Sequence, residues 1–245
     1  MNDKQKNPNT IAEFAKTIII AVGIAVVFRS LLFEPFSIPS GSMIPTLRVG
    51  DYLFVSKYSY GYSRYSFPFG LVPVSGRMLG GEPERGDVVV FRKPGDESID
   101  YIKRLVGLPG DEISVVEGIL HINGTPVDRR VDSTSEHNNG LYSRTATVYR
   151  ETFPDGHTHL IQELGDNDRM DNISPRKVPD GHYFFMGDNC DNSRDSRAEI
   201  GFVPAENLIG RAELLFFSHN GTARFYEIWR WPFAIRFSRI GQVIE

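Results

Sequence analysis

The stretch from Ile11 to Phe33, IAEFAKTIIIAVGIAVVFRSLLF, constrains this chain more than any other part of it. Its apolar run from Thr17 to Phe28 covers 12 residues, short of the roughly 20 that a membrane-crossing helix needs. A secretory signal peptide has an apolar region of that length, followed by small residues at −3 and −1 before a cleavage site. The following Arg29-Ser30-Leu31-Leu32-Phe33-Glu34-Pro35 offers no such pair. Apolarity instead resumes after Arg29 and extends upstream through Ile11, Ala12, Phe14 and Ala15. Lys16 and Arg29 can lay their aliphatic stems along the helix and reach the headgroups. Residues 11–33 are therefore expected to form one uncleaved transmembrane anchor, ahead of a removed signal peptide or a buried helix. Lys4, Lys6 and Lys16 favour a cytoplasmic N-terminus over residues 1–10, with the remainder outside.

That remainder is acidic. Beyond residue 33 the chain holds 23 Lys and Arg against 29 Asp and Glu, a formal charge of −6. Such a balance argues against a nucleic-acid partner and against attraction of the whole body to anionic lipid. The single cysteine excludes an intrachain disulfide. Gly and Pro punctuate strand-like segments at Tyr52–Ser56, Asp87–Arg92, Tyr101–Gly107, Glu112–Val116, Leu120–Ile122, His182–Met186 and Leu208–Ser218. Thr147–Thr152 and His159–Glu163 read as a hairpin around Pro154-Asp155-Gly156, and Gly165–Pro179 as loop. No long amphipathic helix follows the anchor, so the expected fold class is mainly β, with antiparallel sheets. Two aromatic stretches, Lys57–Phe69 and Phe225–Phe237, fit either core packing or a lipid interface.

Three segments carry chemistry. In Phe36-Ser37-Ile38-Pro39-Ser40-Gly41-Ser42-Met43-Ile44-Pro45-Thr46-Leu47, two hydroxyls flank a glycine that permits close backbone approach. The plainer reading is a turn-capping serine. In Asp100 to Asp111, Lys103 shares a strand face with Tyr101 and Leu105. Facing inward, its amine would be desolvated and able to act as a base; facing outward, it would guard a sheet edge. The segment Gly187 to Arg197, GDNCDNSRDSR, lacks the glycine and distal glutamate of a calcium loop. A self-satisfied turn, with Asp188 or Asp195 paired to Arg104, Arg194 or Arg197, fits better. His157 and His159 have no third ligand at a convincing spacing, and a solvated hairpin turn accounts for them. Neither metal nor cofactor is expected.

Taken together, PSGSMIPTL after an anchor, RGDVVVF at Arg85–Phe91, YIKRLVGLPGD and GDNCDNSRDSR closely resemble, in order, the boxes of the bacterial type I signal peptidases. The resemblance implies a membrane-bound serine endopeptidase that removes signal peptides from exported preproteins, cleaving after small residues at −3 and −1. Ser42 would be the nucleophile and Lys103 its base. The Ser42 amide and Ser40 hydroxyl would form the oxyanion hole, and Ser193 would orient the lysine. Phe36, Ile38, Pro39, Met43, Leu47, Asp100, Tyr101 and Ile102 would line the substrate pockets. Arg104, Asp188, Asp195 and Arg197 would support the site. Residues 34–111 and 180–225 would make the catalytic domain, 112–179 an inserted β-rich domain, and 226–245 an aromatic, basic tail that contacts the membrane. Inner-membrane residence, an extracytoplasmic catalytic domain, lipid and nearby secretion machinery follow from the same likeness. Cys190 departs from the arginine common at its position. A dedicated peptidase for few clients, or a membrane-anchored non-catalytic β binding module, are the competing readings.

Overall fold

The computed structural model describes residues 8–67, 76–138, 143–165, 170–224 and 226–245. The first element, α1 (Pro8–Leu31), has 24 residues, about 36 Å of helix at 1.5 Å per residue. Its Ile- and Val-rich run is a poor helix former in water. In a bilayer, however, a helix is the one single-segment structure that satisfies its own backbone. The stretch Ile11–Leu31 has a mean hydropathy of 2.2, and all of it but Ser30 is exposed. Ser30 Oγ donates to Val26 O at 2.7 Å, and Pro35, lacking an N–H, comes two residues into the strand that follows.

A seven-stranded antiparallel sheet organises the body. Its strands are β1 (Phe33–Ser37), β2 (Asp51–Ser56), β3 (Val88–Lys93), β4 (Asp96–Gly107), β12 (His182–Met186), β13 (Val203–Pro204) and β14 (Leu208–Ser218). Their spatial order is β1-β2-β14-β3-β4-β12-β13. Between β4 and β12 the chain builds two smaller sheets. One contains β5 (Glu112–Val116), β6 (Ile119–Ile122), β7 (Thr125–Pro126) and β11 (Ile173–Lys177). The other contains β8 (Asp128–Asn138), β9 (Ser143–Thr152) and β10 (Thr158–Glu163). The turns at Glu117-Gly118 and Asn123-Gly124 have positive φ at all four residues, as tight primed turns require.

Five strands were not legible in the sequence: β1, β7, β8, β13 and the β11 that interrupts the expected Gly165–Pro179 loop. All five are edge strands. An edge strand tolerates proline and needs no apolar alternation, and FEPFS, DRRVDSTSEHN and ISPRK show none. His159 also departs from the solvated turn expected for it. Alternation along β10 puts His159, Ile161 and Glu163 on the inner face, and His159 is 6% exposed.

The principal core packs Leu53, Val55, Val88, Val90, Ile209, Ala212 and Leu215 from the large sheet against Ile38, Met43 and Leu47. The tail folds back onto this sheet. Arg239 forks the buried Asp51 carboxylate, with Nε at 3.1 Å from Oδ1, and Val243 bridges Leu214. Desolvation alone would raise the Asp51 pKa, but Arg239 and Ser218 outweigh it and hold the carboxyl low. Of the aromatic stretches, Tyr60 is buried and donates to Asp87 Oδ2 at 2.7 Å. Trp229, Phe233 and Phe237 are exposed. Phe69 and Phe225 lie outside the described residues.

Candidate active site

Ser42 sits in the loop between β1 and β2. This loop is pinned at both ends, by Ile38 N to Asp51 O at 2.8 Å and Gly50 N to Ile38 O at 3.0 Å. Met43 and Leu47, the two ends of a turn closed by Leu47 N to Met43 O at 2.8 Å, are fully buried and fasten it to the core. The apolar residues next to Ser42 thus act as anchors, and the hydroxyl group is held rather than loose. Lys103 lies opposite Val89 in the register of β3 and β4, and is 3% exposed. Its Nζ donates to Ser42 Oγ at 2.6 Å and to Ile102 O at 2.9 Å. Tyr101 shares the lysine's face, with its ring centroid 5.6 Å from Nζ.

Burial lowers the Lys103 pKa from 10.5 to about 8, against the opposing pull of Asp195 and Asp188. Desolvation penalises the ammonium, and the two nearby carboxylates recover only part of that cost. Both carboxylates are engaged elsewhere. Arg104 Nε and Nη2 each lie 2.8 Å from Asp188. Arg197 Nε and Nη2 reach Asp195 at 3.0 and 2.9 Å. Arg194, the third arginine weighed as a partner, is exposed and sits 3.7 Å from Glu199 instead. With these forks the acidic loop neutralises itself and leaves the lysine near a net-neutral wall.

Ser40 Oγ lies 3.4 Å from Ser42 Oγ. Ser193 is 1% exposed and, among the described residues, its hydroxyl has no hydrogen-bond partner. It reaches the site sterically: a Cβ on Gly187 would lie 2.2 Å from Ser193 Oγ and 2.5 Å from Ser42 O. Of the pocket candidates, Ile38, Met43 and Leu47 are core residues beneath the loop, with Phe36 and Ile102 packed partly buried against them. Pro39 and Asp100 are exposed, and Tyr101 is half-buried. On the outer side of β4, β12 pairs only with Arg104 to Gly107. The strand edge at Tyr101 and Ile102 is therefore open for another strand.

A hydroxyl touching a buried, easily deprotonated amine has the residue types and the geometry that an activated nucleophile requires. Comparison with known proteins decides which kind. A model of the family described as signal peptidase, peptidase S26, matches residues 11–217. The chain belongs to the signal peptidase family. A signal peptidase I of Rickettsia typhi (strain ATCC VR-144 / Wilmington) is 43% identical over 224 residues, 88% of this chain and 84% of that one. A signal peptidase I of Rickettsia canadensis (strain McKiel) is 44% identical over 225 residues, again 88% and 84%. The solved signal peptidase I of Enterococcus faecalis V583 is 27% identical, with a TM-score of 0.33 over 54% of this chain and 97% of that one. Membership makes the chain a serine peptidase with a mainly β body behind an apolar N-terminal helix.

Around Ser42 and Lys103 stand residues that sequence reasoning did not single out. Thr46 Oγ1 donates to Asp188. Asn189 donates from its side chain to Gly41 O at 2.9 Å and from its backbone to Ser42 O at 3.1 Å. Glu245 O accepts from Arg104 at 3.2 Å. Each contact spans more than 140 positions of sequence, so no local pattern announces it. Cys190 is buried, and desolvation raises its thiol pKa well above the ordinary value. Among the described residues no group of three or more His, Cys, Asp or Glu side chains is placed to hold a metal ion.

Proposed function

We propose that this signal peptidase removes N-terminal signal peptides from exported preproteins, with Ser42 as nucleophile and Lys103 as general base. The observation that carries this reading is the 2.6 Å contact between Ser42 Oγ and a lysine amine 3% exposed to solvent. A pKa of about 8 leaves an appreciable neutral fraction of Lys103 near pH 8. In that form the amine lone pair faces the hydroxyl and takes its proton as Oγ attacks the scissile carbonyl. The oxyanion then meets the Ser42 N–H and the Ser40 hydroxyl. The protonated lysine returns its proton to the leaving amine, and water attacking the acyl-enzyme completes hydrolysis. Ser193 orients Lys103 as the site closes on substrate, because catalytic hydrogen bonds tighten in the complex.

The substrate adds as an extended strand along the open edge of β4, its main chain bonded to the strand. Side chains at −3 and −1 enter shallow pockets bounded by Phe36, Ile38, Pro39, Met43, Leu47, Asp100, Tyr101 and Ile102. Core packing beneath these pockets leaves little depth, which favours alanine over larger residues. The anchor α1 crosses the inner membrane once with residues 1–10 cytoplasmic. Residues 34–111 and 180–225 form the extracytoplasmic catalytic domain, beside the secretion machinery, and 112–179 the insertion. Exposed Trp229, Phe233 and Phe237 in the 226–245 tail rest on lipid.

The test is cleavage, in detergent, of a preprotein with Ala at −3 and −1. Wild type should cleave it, Ser42→Ala should not, and Lys103→Ala should lose roughly 10²- to 10⁴-fold in rate. For wild type, kcat/KM should climb with pH and level off above about 8, as Lys103 gives up its proton. Circular dichroism checks that all three proteins fold. Full activity in Lys103→Ala would remove the dyad, and an inactive wild type would favour a dedicated client or a binding module.

A further inference from the structure

Two peptide planes flank the nucleophile, and one buried residue holds both. Asn189 is fully buried at the start of the short 3-10 turn Cys190–Asn192. Its side-chain Nδ2 donates to Gly41 O at 2.9 Å, and its backbone N–H donates to Ser42 O at 3.1 Å. The Gly41 carbonyl takes a second donor, Ile44 N, at 3.2 Å, which fills both of its lone pairs. The orientation of the Asn189 amide is fixed by this contact. Flipped, it would set Oδ1 against a carbonyl oxygen with no proton between them.

In a trans peptide the C=O and the next residue's N–H point in opposite directions. Fastening Gly41 O to Asn189 therefore aims the Ser42 N–H away from Asn189. Among the described residues that N–H meets no intramolecular acceptor. Building on the Ser42 and Lys103 reading above, we infer that Asn189 is a positioning residue, which presets the Ser42 N–H as an oxyanion donor without touching substrate. A donor pays no reorganisation cost at the moment of reaction only if something holds it in advance. Asn189 is in turn held from behind. β10 forms a parallel bridge between Gln162 and Asn189, and Gln162 N donates to Asp188 O at 2.7 Å. The hairpin of the smaller sheet is thus mechanically continuous with the nucleophile loop.

The inference separates two kinds of loss. A donor that acts on the oxyanion stabilises the transition state and not the bound substrate. Full-length Asn189→Ala and the near-isosteric Asn189→Leu should therefore lower kcat about tenfold with KM within about threefold. The residual Ile44 bond keeps the loss below that of deleting a donor outright. A peptide aldehyde, whose adduct with Ser42 carries the tetrahedral oxygen, should bind about tenfold more weakly. A peptide with a reduced scissile amide, which forms no oxyanion, should bind as in wild type. The pH profile should keep the Lys103 limb near pH 8, since Asn189 contacts neither Lys103 nor its carboxylate neighbours' forks.

Cleavage by wild type and none by Ser42→Ala establish the underlying reading in the same assay. With that in hand, kcat within twofold of wild type in both variants would overturn the role of Asn189. So would equal weakening of aldehyde and reduced-amide peptides, or a displaced pH limb, which would mark a general loosening of the site. If one variant fails to fold by circular dichroism, the other decides.

Discussion

Lys103 and Glu151 are two buried titratable groups of opposite charge, one in the large sheet and one under the hairpin of the smaller sheet. Both are driven toward neutrality by desolvation, Lys103 from 10.5 down to about 8 and Glu151 from 4.5 up to about 7. Their neighbours separate them. The amine of Lys103 contacts Ser42 Oγ at 2.6 Å, in a loop whose carbonyls and carboxylates are tied by Asn189, Arg104 and Arg197. Glu151 faces His159 at 3.6 Å, beyond a good hydrogen bond, and the buried His159 is itself held well below its ordinary pKa. Burial alone makes a group easy to neutralise. Of the two, only the lysine has a fixed hydroxyl at bonding distance, and the proposed chemistry rests on that contact.

After the Ser42 and Lys103 substitutions themselves, the largest expected effect comes from breaking the fixed geometry without touching either ionisable group. Gly187→Ala places a methyl carbon 2.2 Å from Ser193 Oγ and 2.5 Å from Ser42 O. No side-chain rotation relieves the second clash, because its partner is backbone, so the Ser42 loop must move. Displacements of that size cost about 10²-fold in rate, read as kcat/KM on the preprotein with the fold checked by circular dichroism. Wild-type activity in this variant would mean that the loop position is not critical and would dissolve the contrast with Glu151.

Next comes the lysine's own cost to the fold. A native pKa of about 8 against 10.5 in the unfolded chain means that the folded state binds its proton less tightly. The penalty is full below pH 8 and is relieved as pH rises from 8 to 10.5. It amounts to about 3 kcal/mol at 1.36 kcal/mol per pH unit. Measured by chemical denaturation, wild type should gain about that much relative to Lys103→Met between pH 7 and pH 11. Parallel stability curves would show that the lysine is not desolvated and would remove the physical basis of its proposed role.

The sequence made the lysine and serine boxes legible because residue type and local spacing carry them. The apolar N-terminal helix was readable for the same reason, since apolar length is a local property. Contacts that join distant segments were not. Asn189 meets Gly41 across 148 positions and Arg239 meets Asp51 across 188, and no periodicity encodes either. β8 was missed because an edge strand facing water has no inner face to pattern. His159 was misread from its flanking turn, although its alternation with Ile161 and Glu163 was present in the sequence. Local turn chemistry outweighed three residues of period-two alternation there, and tertiary packing decided the other way.

Glu151 supplies the complementary test, with the smallest effect on activity. Its raised pKa means that the folded state binds a proton more tightly than the unfolded chain does between pH 4.5 and 7. Its contribution is favourable below pH 4.5 and is lost as pH rises through 7, the reverse of Lys103 in the same unit of measure. Wild type should therefore lose about 3 kcal/mol relative to Glu151→Gln between pH 4 and pH 8. Cleavage by Glu151→Gln should stay within about twofold of wild type at pH 8, because no bond links this carboxyl to Ser42 or Lys103. A variant both more stable at pH 8 and fully active would show that burial and chemistry are separable in this fold. A large loss of activity would instead join Glu151 to the site, through the β10 contact with Asp188 and Asn189, and the two buried groups would no longer be a contrast but one system.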